Sequence, residues 1–213
     1  MNKTKGDSYK DIILYWLPEV ISISILLAIP PIIDSLIISS LRSITTFGAL
    51  GMGTNVLTTL TKITEAVPVA AIAFIGRFNG SGDFEKCGEY FYNTFWITFI
   101  LGISQFILIF FAGRSIFGWL EVSEKMTNIG LPFLQLKSLS VILIFSVMVF
   151  IGFMRAIKNT YIPMILNLIG IGIFIFFDYA LVLGNFRFPA LGLQGSAIAS
   201  IVQNMIMVVV LLG

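Results

Sequence analysis

The amino-acid sequence predicts an all-α integral membrane protein built from six transmembrane helices. Hydrophobic residues supply 57% of its 213 positions and charged residues only 11%, whereas soluble domains carry about 25% charged residues. The mean hydropathy is +0.98, so the chain cannot clothe a water-facing surface with its own polar groups. Six apolar stretches each reach the roughly 20 residues that cross a bilayer. None shows the two-residue alternation of a barrel strand. A single membrane unit over 1–213 follows, with no internal repeat evident.

Residues 1–11 are polar, and the apolar run 12–39 that follows is too long for the core of a signal peptide. It also lacks a small-residue cleavage site, so it reads as the first span. Arg42 and Ser43 separate it from the second, 49–76. The segment RFNGSGDFEKCGEY leads to the third span, 91–112. Its Asn79–Gly82 stretch reads as a turn and lacks the strand and Lys-Ser/Thr of a phosphate loop. GRSIFGWLEVSEKMTNIG precedes the fourth span, 131–154, RAIKNT the fifth, 161–184, and NFRFP the sixth, 191–212. The sixth opens on LGLQGSAIAS, where Gly192, Gly195, Ser196, Ala199 and Ser200 allow close backbone approach between helices. The last residues, up to Gly213, are still apolar, which suggests a truncated chain, a gene fragment or a half-size protein.

Missing residue types exclude several chemistries. There is no histidine, and Cys87 is the single cysteine. Histidine-based acid–base catalysis, zinc sites and intramolecular disulfides are therefore out of reach, and no nucleophile–base pair suggests an enzyme. No metal site or organic cofactor is expected. A net charge of +2 gives no nucleic-acid surface. With the N-terminus inside, the cytoplasmic segments hold Lys3, Lys5, Lys10, Arg77, Lys86, Arg155 and Lys158. The opposite side holds Arg42, Arg114, Lys125 and Arg187. The excess places both termini in the cytoplasm. Tyr90, Tyr92, Trp96 and Trp119 fall near span ends, as headgroup-level aromatics or as packing residues.

Ionisable residues within spans are costly and usually face a cavity or a partner. The candidates are Glu19, Asp34, Lys62, Glu65, Lys137 and Asp178. Asp34 follows Pro30 and Pro31, which remove backbone donors and should kink the helix. The freed carbonyls and the carboxylate would together hold a cation. Alternatively Asp34 lies at the far membrane surface and pairs with Arg42. In the second span Thr54, Thr58, Thr61 and Glu65 share one helix face, which suits either a cavity wall or a threonine-zipped helix contact. Lys62, three positions before Glu65, is placed to neutralise it. Asp178 and Lys137 each have a plain alternative, reaching the headgroups along their stems, and Glu19 an interfacial one.

The string FMRAIKNTYIPMILNLIGIGIFIFFDYALVLGNFRFPALGLQGSAIAS resembles spans four to six of the multidrug and toxic compound extrusion (MATE) family, in the MOP superfamily. The resemblance is carried by Arg155, by Asn159-Thr160 with Pro163, by Asp178-Tyr179, and by the Gly192 to Ala199 stretch. GRFNGSGDFEKCGEYF resembles the family's turn between spans two and three, LPEV…IPPIID its first span, and FLQLKSLS the opening of its fourth, with Lys137 at a basic position.

The resemblance implies a six-helix lobe of an antiporter exporting small organic or cationic compounds across the bacterial inner membrane. Coupling would use Na⁺ or H⁺, with Asp34 and Asp178 in the cation site. Apart from the resemblance, the polar face of the second span suggests Thr58, Thr61 and Glu65, with Ser200, as the lining of a substrate cavity, Glu65 on that stripe alone. A second six-helix lobe, or a second copy of the chain, would supply the other wall of the cleft. The sequence departs from the family pattern at Phe174, where an asparagine is usual, and at Ser39, where a glycine is usual. Two alternatives are a lipid-linked saccharide flippase of the same superfamily, holding a diphosphate with Lys62 and Lys137, and a non-transporting membrane fragment or assembly protein.

Overall fold

A computed structural model describes residues 9–212, without the side chains of Lys10, Asp11, Ile12, Leu14, Tyr15 and Glu19. The expectations for Lys3, Lys5, Lys10 and Glu19 lie outside the described residues. Six helices follow one another: α1 (Tyr9–Ser39), α2 (Ile44–Ser81), α3 (Phe84–Trp119), α4 (Glu124–Ala156), α5 (Tyr161–Leu183) and α6 (Leu193–Leu212). Each contains a window long and apolar enough to cross a bilayer. Among the described residues there is no strand, as expected where lipid offers the backbone no hydrogen-bond partner.

The helices outrun their apolar cores. α2 has 38 residues, about 57 Å at 1.5 Å per residue, so its ends project beyond the hydrocarbon. Two separators are accordingly shorter than their composition suggests. The Asn79–Gly82 stretch is not a four-residue turn: α2 runs to Ser81 and ends on Gly82 at φ 77°. Most of the segment between spans three and four is also helical, leaving only 120–123 as a connection. Polar caps set the boundaries. Ser43 Oγ accepts from the Thr46 amide at the start of α2, and Asp83 accepts from the Lys86 amide at the start of α3. The Lys86 side chain, 2.9 Å away, and then that amide hold the Asp83 carboxyl below the usual range.

α4 is the central helix, packed on α2, α3 and α6, while α5 lies between α6 and α1. α1 and α2 barely touch. The connections 40–43, 120–123 and 184–192 share one end of the bundle, and 82–83 and 157–160 the other. Apolar side chains such as Leu27, Ile63, Val69 and Phe111 stand largely exposed, a surface that only lipid or another membrane helix accommodates. The tight α5–α6 contact depends on Gly195, whose absent Cβ would sit 2.6 Å from the Leu181 carbonyl carbon. Gly195 is therefore a packing element, as expected for the small residues opening α6. Tyr90 is also a packing residue, stacked 5.6 Å from Phe74 and 5.1 Å from Phe78. Trp119, by contrast, stands exposed at the end of α3.

A buried charged cluster at one end of the bundle

Four helices send polar groups to one place. Asp34 of α1 is 6% exposed, and Asp178 of α5 and Ser196 of α6 are completely buried. From α4, the Lys137 ammonium lies 3.9 Å from Asp34 Oδ2 and 5.0 Å from the centroid of the Phe133 ring. Asp178 interacts with both Asp34 and Lys137. The Ser196 hydroxyl acts electrostatically on both carboxylates but reaches hydrogen-bond geometry with neither. Asp34 Oδ1, both Asp178 oxygens and Ser196 Oγ are thus buried without a hydrogen-bond partner. Unpaired buried oxygens are costly and call for a proton or a cation.

The plain alternatives for these residues do not describe the fold. Asp34 pairs with Lys137 rather than with exposed Arg42. Complete burial rules out Asp178 reaching the headgroups, and Lys137 points to a carboxylate with its side chain 19% exposed. Pro30 and Pro31 do not interrupt α1, which is helical throughout. Lacking amide hydrogens, they leave the Leu26 and Leu27 carbonyls without their usual donors.

Each contributor also carries an apolar residue one turn nearer the 40–43 end: Ile38 beside Asp34, Val182 beside Asp178, Phe133 beside Lys137 and Leu193 beside Ser196. These four pack together with Ala49, Leu50 and Ala197 in one buried cluster. The helices thereby place an apolar plug directly over the charges. On its outer side, Leu41, Thr46, Ile129 and the plug's own Leu193 line an open cavity of about 330 Å³.

The other expected residues are spread along the bundle. Ser200, one turn past Ser196 on the same face, is buried and donates to the Ser196 carbonyl at 3.1 Å. Asn204 continues the column by donating to the Ser200 carbonyl at 2.8 Å. On α2, Thr58 is exposed and bonds its own helix, Thr61 is 8% exposed, and Glu65 binds Lys62 at 2.7 Å. No hydrogen bond or ion pair among the described residues joins that stripe to Asp34 or Asp178. From the Ala49–Leu50 level, Thr58 lies about 12 Å and Glu65 about 23 Å further along the helix.

Two polar clasps escaped the sequence reading. The Asn167 amide donates to the Ser22 hydroxyl between α5 and α1, and Gln105 of α3 donates to Thr64 Oγ1 and the Leu60 carbonyl of α2. Their only sequence signal is an amide side chain within an apolar run.

Comparison with known proteins bears on the family and the fold. The MatE family model matches residues 20–180, a range that includes Asp34, Lys137 and Asp178. A probable multidrug resistance protein NorM of Bacillus cereus is 25% identical over 156 residues, 73% of this chain and 34% of its own length. The Bacillus anthracis protein described in the same words is 24% identical over 151 residues, 71% of this chain and 33% of its own. Among solved structures, the fold matches a multidrug resistance MATE family transporter of the MOP superfamily in an outward-facing conformation. The TM-score is 0.87 at 19% identity, over 99% of this chain and 47% of that one. A MOP superfamily transporter from Pyrococcus furiosus gives the same TM-score, identity and coverage. The chain thus spans about a third of the length of its curated relatives and about half that of the solved structures. It belongs to the MatE family, whose members are multi-pass membrane transporters and not enzymes.

Proposed function

We propose that this chain forms one lobe of a cation-coupled antiporter that exports small organic or cationic compounds across the cytoplasmic membrane, with both termini inside. The observation that carries the reading is the meeting of Asp34 and Asp178 in one buried cluster whose carboxylate oxygens are incompletely paired. Carboxylates kept within lipid are expensive, and taking up and releasing a coupling Na⁺ or H⁺ explains their presence. Ser200 extends the cluster along α6, while Thr58, Thr61 and Glu65 line the substrate path further along α2. The facing wall comes from a second six-helix lobe or a second copy.

Alternating access then follows from charge. With the carboxylates neutralised the cluster tolerates close helix packing; once both are freed, Lys137 balances only one of them, and the remaining charge loosens α1 from α5. The flippase alternative finds less support, because Lys62 and Lys137 already face carboxylates at 2.7 and 3.9 Å.

The test is cation-driven efflux of a fluorescent organic cation from proteoliposomes holding the complete transporting assembly. Asp34→Asn and Asp178→Asn are each expected to abolish coupled export while leaving insertion intact. Export at the unmodified rate in Asp34→Asn refutes the reading.

A further inference from the structure

The two carboxylates are buried and act on each other electrostatically, and the fold supplies a positive charge of its own beside them. Lys137 reaches in from α4, the helix between α2 and α6, and its ammonium is 3.9 Å from Asp34 Oδ2. A hydrogen-bonded ion pair measures about 2.7–2.9 Å, so this pair is loose. Neither Asp178 oxygen is bonded to it, although the two groups interact. The ammonium therefore stands by Asp34, within influence of Asp178 and bound tightly to neither. It hangs on a flexible four-carbon stem.

The surroundings favour that ammonium over a free metal ion. A hard cation needs several oxygen ligands. α6 adds the Ser196 hydroxyl, but buried Phe174, one turn from Asp178 on α5, adds none. The Phe133 ring beneath the ammonium suits an organic cation. The titratable groups facing one another are Asp34 from α1, Lys137 from α4 and Asp178 from α5. On α2, Lys62 and Glu65 are engaged with each other further along.

We propose that Lys137 is the resident cation of this site: its ammonium takes the place a sodium ion would hold between Asp34 and Asp178, so the site excludes Na⁺ and is left to couple to protons. This inference rests on the proposed coupling role of the two aspartates. In mechanism, a proton arriving on Asp34 breaks the loose pair, and the ammonium swings towards Asp178. Loss of the proton draws it back. Lys137 thus sets ion selectivity as a tethered counter-charge.

The experiment is equilibrium binding of radioactive sodium to the purified chain, together with the sodium-dependent shift in its thermal unfolding, at mildly alkaline pH. The wild type and Lys137→Arg, which keeps a tethered cation, are expected to show neither saturable binding nor a shift. Lys137→Gln and Lys137→Met should gain sodium affinity on the order of a hundred-fold or more, because the Asp34 carboxylate loses a competing positive charge 3.9 Å away. Adding Asp34→Asn or Asp178→Asn should erase the gain.

Saturable sodium binding by the wild type that disappears in Asp34→Asn overturns the inference while leaving the aspartates as a coupling site. Failure of both Lys137→Gln and Lys137→Met to bind sodium, with helicity and monodispersity retained, overturns it too. The coupling reading itself stands or falls separately, on export by Asp34→Asn.

Discussion

The Asn167 side chain of α5 donates a 2.8 Å hydrogen bond to the Ser22 hydroxyl of α1, joining two buried residues 145 positions apart. Few of the described α1 side chains are buried besides Ser22, and they include Asp34 and Ile38. The clasp therefore anchors the half of α1 away from the charged cluster. It holds α1 against α5, the helix that carries Asp178.

Ser22→Ala should destabilise the protein by stranding the buried Asn167 amide without its acceptor, whereas Asn167→Ala loses the same bond but leaves a serine hydroxyl that can turn back to its own helix. Hydrogen bonds between membrane helices contribute about 0.6 kcal/mol on average, with a maximum near 1.7. A double-mutant cycle on unfolding in detergent micelles should return a coupling in that range. Zero coupling would mean the clasp does not hold α1.

Gly195→Ala should also destabilise, through crowding. The added methyl meets the Leu181 carbonyl carbon at 2.6 Å and Val182 N at 2.7 Å, backbone atoms that move only if α5 and α6 separate. Overpacking of this kind costs about 1–3 kcal/mol. Gly172→Ala is the matched control, since a methyl added there meets nothing within 4 Å. Thermal unfolding of the two variants should differ clearly, and equal melting points would contradict the close approach.

Phe133→Ala should unseal the charged cluster. Phe133 is completely buried between the cluster and the open cavity. A Ser196→Cys reporter, in a background where buried Cys87 is replaced by alanine, should resist a membrane-impermeant maleimide while Phe133 is present. With Phe133→Ala its labelling rate should rise about ten-fold or more, as water fills the space left by the ring. Truncating a buried phenylalanine costs about 3–5 kcal/mol in soluble proteins, so Phe133→Leu serves as a milder variant with a smaller increase. An unchanged rate in both would show that the plug does not control access.

Much of this was legible in the chain. Each run such as 161–184 announces a helix because lipid leaves the backbone no other partner, and Asp34 and Asp178 stand out because charge within such a run is costly. Helix ends were less legible: the polar residues after Gly76 continue α2 as a projecting helix, and composition alone does not separate that from a turn. The α2 stripe of Thr58, Thr61 and Glu65 was readable as a face, while the exposure of Thr58 and the burial of Thr61 depend on where α3 and α4 press against it.

By itself, the sequence determined that the protein is a set of apolar helices with a few charges inside them, because hydropathy and helical period are local properties. Only the tertiary structure decided which charges meet. Lys137 lies 103 positions from Asp34 (137 − 34), and the pairing of α1 with α5 and of α4 with α6 is what brings Asp34, Lys137, Asp178 and Ser196 together. Helical period says which face a side chain occupies, but a face has no partner until another helix packs against it.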